Sequence, residues 1–268
     1  MSLVELDFNQ STNLFVVPED TGPQIPRASI NRDAFFGEEM ASVPVPSIRL
    51  EHPDHGPVFG KDVAVRVFAT TMQTSVFDSD AEEYANMSQH FIRFADKAID
   101  WFGGNKCGWM PSRQKEKLKA SDPVAYAKAS RTKLYRHLFG MIRMNDAVKP
   151  GSEPVEFDPI PFRMRLGPSN FYEIGKVVGE LEKQKLKHFN YELGIDFKVE
   201  KRGSNQWFVL NYKPIVDNKI KVSKDDEANL LTFQQVIQKE NEDVTERMRE
   251  NIGNGSVGAE FIESVDDE

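Results

Sequence analysis

Cysteine and long apolar runs are nearly absent from this chain. It contains one cysteine, Cys107, and no run of eighteen apolar residues. A single cysteine excludes an internal disulfide and fits a reducing compartment. Without a long apolar run we expect no segment to cross a membrane. Residues 1–10 have neither a basic start nor an apolar stretch, so we also expect no secretory signal. The sequence therefore predicts a soluble, cytoplasmic protein.

Motifs that mark common active sites are also missing. There is no phosphate-binding G-x-x-x-x-G-K-[ST] loop, no G-x-G-x-x-G fingerprint and no G-x-S-x-G elbow. His52, His55, His90 and Cys107 are candidate zinc ligands by residue type, but no spacing among them requires a metal. We therefore expect a protein that is not an enzyme and that needs no cofactor and no metal.

Charge is distributed unevenly along the 268 residues, although the formal net charge is only −8. Residues 1–90 hold 5 basic and 14 acidic side chains, and residues 225–268 hold 3 and 13. Residues 91–224 hold 26 basic against 15 acidic side chains. A basic middle between acidic ends favours a polyanionic partner. An ordinary solvated surface with acidic ends is the alternative that charge alone leaves open.

Strands are predicted where apolar residues alternate with polar ones. The clearest case is 63–68, where three valines alternate with Ala64, Arg66 and Phe68. A helix is expected to begin at Asn170, which has capping-box spacing to Glu173. The other predicted elements are a short basic helix or connector over 111–129, strands over 138–144 and 162–166, a hairpin over 195–200 and 206–212, and an exposed helix over 228–252. Residues 77–102 fit either a helix or a strand.

These elements suggest three regions. Frequent prolines predict an irregular N-terminal arm over 1–57, in which 43–50 fits an edge strand or an extended arm. Residues 58–224 form the expected core, and residues 225–268 form an acidic helix and flexible tail. Strands, one capped helix and a closing hairpin are typical of an OB-like barrel. The predicted fold class is mainly β (α+β), an OB-fold-like β-barrel with an inserted helix.

Cations and aromatic rings alternate through the basic middle of the chain. Binding single-stranded DNA without sequence preference needs cations that neutralise phosphates and rings on which bases stack. For any one ring, packing in the core is the alternative. The candidate DNA-binding residues are Arg66, Phe68, Arg93, Trp101, Lys106, Trp109, Arg131, Lys133, Tyr135, Arg136, Arg163, Arg165, Lys198, Trp207 and Tyr212.

The last eight residues combine acidic side chains with apolar anchors. Such a tail can compete with DNA for its own basic groove and can dock basic pockets on partner proteins. The alternative is an end that only increases solubility. The candidate partner-binding residues are Phe261, Ile262, Asp266, Asp267 and Glu268.

Four features follow one another in a characteristic order: the segment 130–144 (SRTKLYRHLFGMIRM), the strand 162–166 (FRMRL), the helix at Asn170 and the stretch 197–212. In this order the chain resembles the phage single-stranded-DNA-binding proteins related to the helix-destabilising protein of the T-even phages. The resemblance implies that Arg131, Thr132, Lys133, Tyr135 and Arg136 line the DNA groove. It also implies a role in phage replication and recombination in the cytoplasm of the infected bacterial host, with replication proteins recruited by the tail.

Two features depart from that family, and three other functions stay open. Residues 103–108 hold only Cys107 where the family's best-known member binds zinc, and residues 1–57 are acidic where that member has a basic arm. A strand-annealing recombination protein would share the basic groove but form rings. A phage structural or assembly protein would use residues 1–57 as an interaction arm. A metal-dependent nuclease is the least favoured, because no set of acids with metal-site spacing stands out.

Overall fold

A computed structural model describes residues 24–31, 46–151, 153–202 and 205–253. The chain divides into two compact units, each made from two separate stretches of sequence. Unit 1 comprises residues 1–70 and 137–234, and unit 2 comprises residues 71–136 and 235–268. This division differs from the predicted single core over 58–224, because the boundary falls inside strands and a helix that the sequence presents as continuous.

The described residues form nine strands and four α-helices. The strands are β1 (Arg27–Asn31), β2 (Ser47–His52), β3 (Gly56–Gly60), β4 (Val63–Asp78), β5 (Glu83–Met87), β6 (Thr132–Met144), β7 (Ile160–Leu166), β8 (Glu192–Arg202) and β9 (Asn205–Ile215). The helices are α1 (Ser112–Ser121), α2 (Pro123–Arg131), α3 (Glu173–Lys183) and α4 (Lys224–Gly253). Of these four helices, none combines the length and apolarity needed to cross a bilayer.

The described strands form one open sheet. Its strand order is β3-β2-β1-β7-β6-β4-β8-β9, so β3 and β9 are its two edges among the described strands. The β1–β7 pair is parallel, whereas β2–β3 and β8–β9 are antiparallel. The predicted α+β class is confirmed. The predicted closed barrel is wrong, because periodicity locates strands without specifying which edges meet.

Strands near the N-terminus correct the predicted irregular arm. Ile48, Leu50 and Val58 lie on β2 and β3 and are fully buried in the core of unit 1. Pro57 lies on the edge strand β3, where a missing backbone N–H is tolerated. Among the described prolines, Pro26, Pro46 and Pro53 flank the short strands β1 and β2. Residues 1–23 and 32–45 of the predicted arm lie outside the described residues.

Two of the predicted strands illustrate alternation and its absence. On β7, Phe162, Met164 and Leu166 are buried while Arg163 and Arg165 are half-buried, as predicted. The first six residues of β4 are instead all buried, so this strand has no polar face there. Strands covered on both sides lose the alternation that a half-exposed strand shows.

Asn170 does not cap the helix that follows it. Its Oδ1 accepts a hydrogen bond from the backbone N–H of Leu210 at 2.6 Å, and its Nδ2 donates to the carbonyl of Phe208 at 3.4 Å. The helix α3 begins at Glu173 with no side-chain cap, and it buries Ile174, Val177 and Leu181. The predicted cap is therefore wrong, because the amide side chain ties the start of the helix to β9. The predicted hairpin is confirmed as β8 and β9, and its two turn residues lie outside the described part.

A glycine on β6 marks a close approach of two strands in unit 1. A Cβ atom placed on Gly140 would lie 2.0 Å from the carbonyl oxygen of Arg66 and 3.0 Å from the Cα of Val67. Because the nearest atoms belong to backbone, no rotamer change can make room for a side chain.

Unit 2 begins with the end of β4, which pairs with β5 in an antiparallel hairpin. This settles part of the ambiguity over 77–102: residues 83–87 are a strand, and the described residues 88–105 form no α-helix. The second half of α4 buries Ile237 and Val244. The predicted helix over 228–252 is thus confirmed, but its predicted exposure is wrong. Asn241 of this helix accepts the backbone N–H of His90 at 2.6 Å.

Candidate nucleic-acid interface

The most basic stretch of unit 2 is residues 112–136, here called the basic segment. It holds eight Lys and Arg but only two acids, Glu116 and Asp122. It comprises α1, α2 and the first residues of β6, and α1 buries none of its side chains. Asp122 is engaged within the segment, because its carboxylate accepts the backbone N–H of Ala125 and so caps α2. The segment therefore presents an excess of cations to solvent.

Two lysines of the basic segment lie close enough to repel each other. Desolvation lowers the pKa of Lys115, and the charge of Lys133 lowers it further. Lys133 donates from Nζ to the carbonyl of Ser130 at 3.1 Å. In the described part of the chain, no carboxylate lies within ion-pair distance of Arg113, Lys115, Lys117, Lys119, Arg131 or Lys133. Uncompensated cations of this kind favour the approach of a polyanion.

A loop before the basic segment is organised by one buried carboxylate. Asp100, which is 2 % exposed, accepts the backbone N–H groups of Phe102, Gly104 and Cys107 at 2.9–3.1 Å. Burial raises the pKa of the Cys107 thiol, which donates to the carbonyl of Thr74. A carboxylate that accepts three N–H groups orders the loop around it. Within the described residues, no group of three or more His, Cys, Asp or Glu side chains could hold a metal.

Two predicted DNA-binding residues of unit 2 have structural contacts instead. Lys106 is 6 % exposed, donates from Nζ to the carbonyl of Phe94 at 2.7 Å and lies 4.8 Å from the centre of the Phe91 ring. Trp101 is half-buried, and the guanidinium of Arg247 lies 4.0 Å from the centre of its ring. Lys106 is therefore removed from the accessible surface, and one face of Trp101 is already covered.

The other predicted residues of unit 2 remain at the surface to different degrees. Arg93, Arg131 and Lys133 are exposed, whereas Tyr135 and Arg136 are half-buried near the start of β6. These five residues stay predictions for DNA contact. The stretch from Arg131 to Arg136 alternates exposed and buried positions only at its start, so its later residues are less accessible than the strand pattern suggested.

Two aromatic contacts were missed by the sequence-based prediction. Phe94 stacks on Trp109, with ring centroids 5.6 Å apart and planes inclined by 21°, and Phe94 is 48 % exposed. On the basic segment, Nζ of Lys119 lies 5.8 Å from the centre of the Tyr126 ring. The neighbouring pair Arg93 and Phe94, a cation beside a ring, is the sequence signal that could have located the first contact.

In unit 1, three residues predicted to bind DNA are buried, so the prediction is wrong for them. Arg66 forms a bidentate ion pair with Asp226 at 2.9–3.1 Å and donates from Nε to the carbonyl of Phe189 at 2.7 Å. Phe68 packs near Phe233, with ring centroids 6.3 Å apart, and Tyr212 belongs to the hydrophobic core. Arg66, Phe68 and Tyr212 therefore stabilise the unit and offer no surface to DNA.

The remaining residues of unit 1 are partly accessible. Arg163 and Arg165 are half-buried on the same face of β7, and the guanidinium of Arg163 lies 6.0 Å from the centre of the Phe139 ring. Lys198 is exposed but already pairs with Glu200 at 3.1 Å. Glu200 lies opposite Trp207 in the β8–β9 register, so a carboxylate adjoins that ring. The basic segment is consequently the stronger candidate surface.

Comparisons with protein-family models, with curated proteins and with solved structures return no match to this chain. The resemblance to phage single-stranded-DNA-binding proteins therefore stays a prediction. The predicted partner-binding residues Phe261, Ile262, Asp266, Asp267 and Glu268 lie outside the described residues.

Proposed function

We propose that this protein binds single-stranded DNA through the basic segment and has no catalytic activity of its own. The observation that carries the proposal is the set of six cations of that segment that have no carboxylate partner among the described residues. Binding would release counterions from the phosphates, and half-exposed rings would stack on bases. The proposal does not require an OB barrel, because the cations lie on two helices and the start of a strand.

The proposed biological role follows the resemblance found in the sequence. The protein would coat and protect single-stranded DNA during phage replication and recombination, in the cytoplasm of an infected bacterium. Its acidic tail would recruit replication or recombination proteins. Support for this role comes from the order of motifs over 130–212 and from the acidic composition of residues 254–268.

The proposal is tested by fluorescence anisotropy of a labelled poly-dT oligonucleotide. Full-length protein is titrated at two salt concentrations, with unlabelled duplex of equal length as competitor. We expect salt-sensitive binding that prefers the single strand. Failure to bind at low salt would overturn the proposal and favour the structural or assembly protein, which should oligomerise without DNA. Ring formation with faster pairing of complementary strands would favour the strand-annealing protein.

A further inference from the structure

The loop that carries Phe94 is held by several hydrogen bonds, although the Phe94 side chain is exposed. The carboxylate of Asp96 accepts the backbone N–H groups of Ile92 at 3.1 Å and Arg93 at 2.7 Å, and the N–H of Asp96 donates to the carbonyl of Arg93. Nζ of Lys106 donates a hydrogen bond to the carbonyl oxygen of Phe94 at 2.7 Å. Fixing the loop at both ends orders the ring before any ligand arrives, which lowers the entropy cost of binding.

Lys106 itself is held in an uncommon conformation. Its φ of 53° lies in the left-handed region, as does that of Cys107. Backbone contacts on each side stabilise the pair: the N–H of Lys106 donates to the carbonyl of Ala98 at 2.8 Å, and Thr132 donates from Oγ1 to the carbonyl of Cys107 at 2.9 Å. Backbone in sparsely populated regions is concentrated at ligand sites. The buried cation is thus used to position an exposed aromatic loop.

The charge around the ring pair identifies its occupant. Arg93 is exposed beside Phe94, and Trp109 lies three residues before the basic segment. A stacked ring pair beside an exposed arginine suits a base with its phosphate, because exposed ring surface can contact the base while Arg93 contacts the phosphate. Bases in a duplex are already stacked and offer no such face, so only a single strand gains from the rings.

A second exposed ring in unit 2 has the opposite surroundings. Phe77 is also 48 % exposed and contacts Tyr84, with ring centroids 5.4 Å apart and planes inclined by 74°. This pair meets edge to face, and it lies on the β4–β5 hairpin with the acidic residues Asp78, Asp80, Glu82 and Glu83. Phosphate would be repelled there. Phe77 therefore provides a matched control for Phe94.

We propose that Phe94 and Trp109 form a stacking site for an unpaired base, and that this ring pair selects single strands over duplex. The inference rests on the proposed function. The basic segment supplies affinity for the phosphates of any nucleic acid, and the ring pair supplies the difference in affinity between single-stranded and duplex DNA.

The test compares full-length Phe94→Ala with Phe77→Ala, using dT oligonucleotide and duplex of equal length as separate ligands. Stacking is worth about 1–3 kcal/mol per base, so we expect Phe94→Ala to weaken dT binding about 5- to 150-fold. Its duplex affinity and its salt slope should change little, and Phe77→Ala should match the wild-type protein with both ligands. Unchanged dT affinity in Phe94→Ala, or an equal loss for both ligands, would overturn the inference.

A second pair of variants separates stacking from folding. Phe94→Leu keeps apolar volume but removes the aromatic face, so we expect the same selective loss of dT binding. Phe94→Trp keeps a larger aromatic face and should restore wild-type affinity. Wild-type behaviour of Phe94→Leu would sink the stacking site while leaving the basic segment intact. Absence of any binding by the wild-type protein would instead refute the proposed function itself.

Discussion

Lys115 and Lys133 repel each other in the protein alone and would attract phosphate together in a complex. Replacing both by alanine removes two cations without removing any ion pair among the described residues. The pKa of Lys115 is lowered by desolvation and by Lys133, so relief of this repulsion should leave the melting temperature unchanged or higher. Weaker DNA binding by the double variant would therefore not reflect unfolding.

The size of the effect follows from counterion release. Each phosphate contact on a single strand contributes about 0.7 to the slope of log K against log salt. Loss of two phosphate contacts should reduce the slope by about 1.4. If the variant and the wild-type protein bind equally at about 1 M salt, the variant should bind roughly 25-fold more weakly than wild type at about 0.1 M. The loss should be the same for every sequence, because phosphates carry no sequence information.

The assay is anisotropy of a dT oligonucleotide at four or more salt concentrations. Lys183→Ala with Lys221→Ala is the matched control, since both lysines are exposed and lie in unit 1. We expect the control to keep the wild-type slope. If the control lost as much slope as Lys115→Ala with Lys133→Ala, binding would depend on overall charge, and the assignment of the basic segment would be refuted.

Three further outcomes are expected. Arg66→Ala leaves Asp226 buried without its ion-pair partner, so it should reduce the free energy of unfolding in urea by about 3–5 kcal/mol. Loss of the exposed ion pair between Lys176 and Glu173 should cost less than about 1 kcal/mol. A cost below about 1 kcal/mol for Arg66→Ala would contradict the importance of the buried pair. Burial lowers the pKa of His52 from 6.5, and its Nδ1 accepts two backbone N–H groups, so the native state disfavours protonation and stability should fall as pH drops below 6.5. His52→Asn keeps an acceptor and should reduce this pH dependence in urea titrations at about pH 7.5 and about pH 5; an unchanged dependence would exclude His52 as its source. Deletion of 253–268 should tighten dT binding about three- to tenfold at low salt, because a competing polyanion is removed, and equal or weaker anisotropy-measured affinity would refute that competition.

The alternation and composition of neighbouring residues predicted several strands and helices of the fold correctly. Alternation identified β7, where buried and half-buried residues alternate. Two strand-like stretches on either side of a turn identified the β8–β9 hairpin, although Phe208, Val209 and Leu210 of β9 are all buried. The basic stretch 111–129 was predicted as one helix or connector, and the structure has two helices there, the second of which, α2, extends to Arg131. These elements were predictable because neighbouring residues determine them.

The errors have a common physical cause, which is a partner distant in sequence. Arg66 looked like a surface cation until Asp226, 160 residues away, provided its ion pair. Asn170 looked like a helix cap, but its amide is bound to the backbone of β9, 40 residues away. No local pattern contains such partners.

The contact at Gly140 also constrains how this sequence can change over time. Any side chain at that position would overlap the main chain of the neighbouring strand, and a main-chain atom cannot be exchanged for a smaller one. Substitutions elsewhere on β6 can be compensated by a change in the facing side chain, but this one cannot. A diverged relative should therefore retain glycine here after its surface cations and rings have been replaced, which makes position 140 a reference point for aligning distant sequences with this strand.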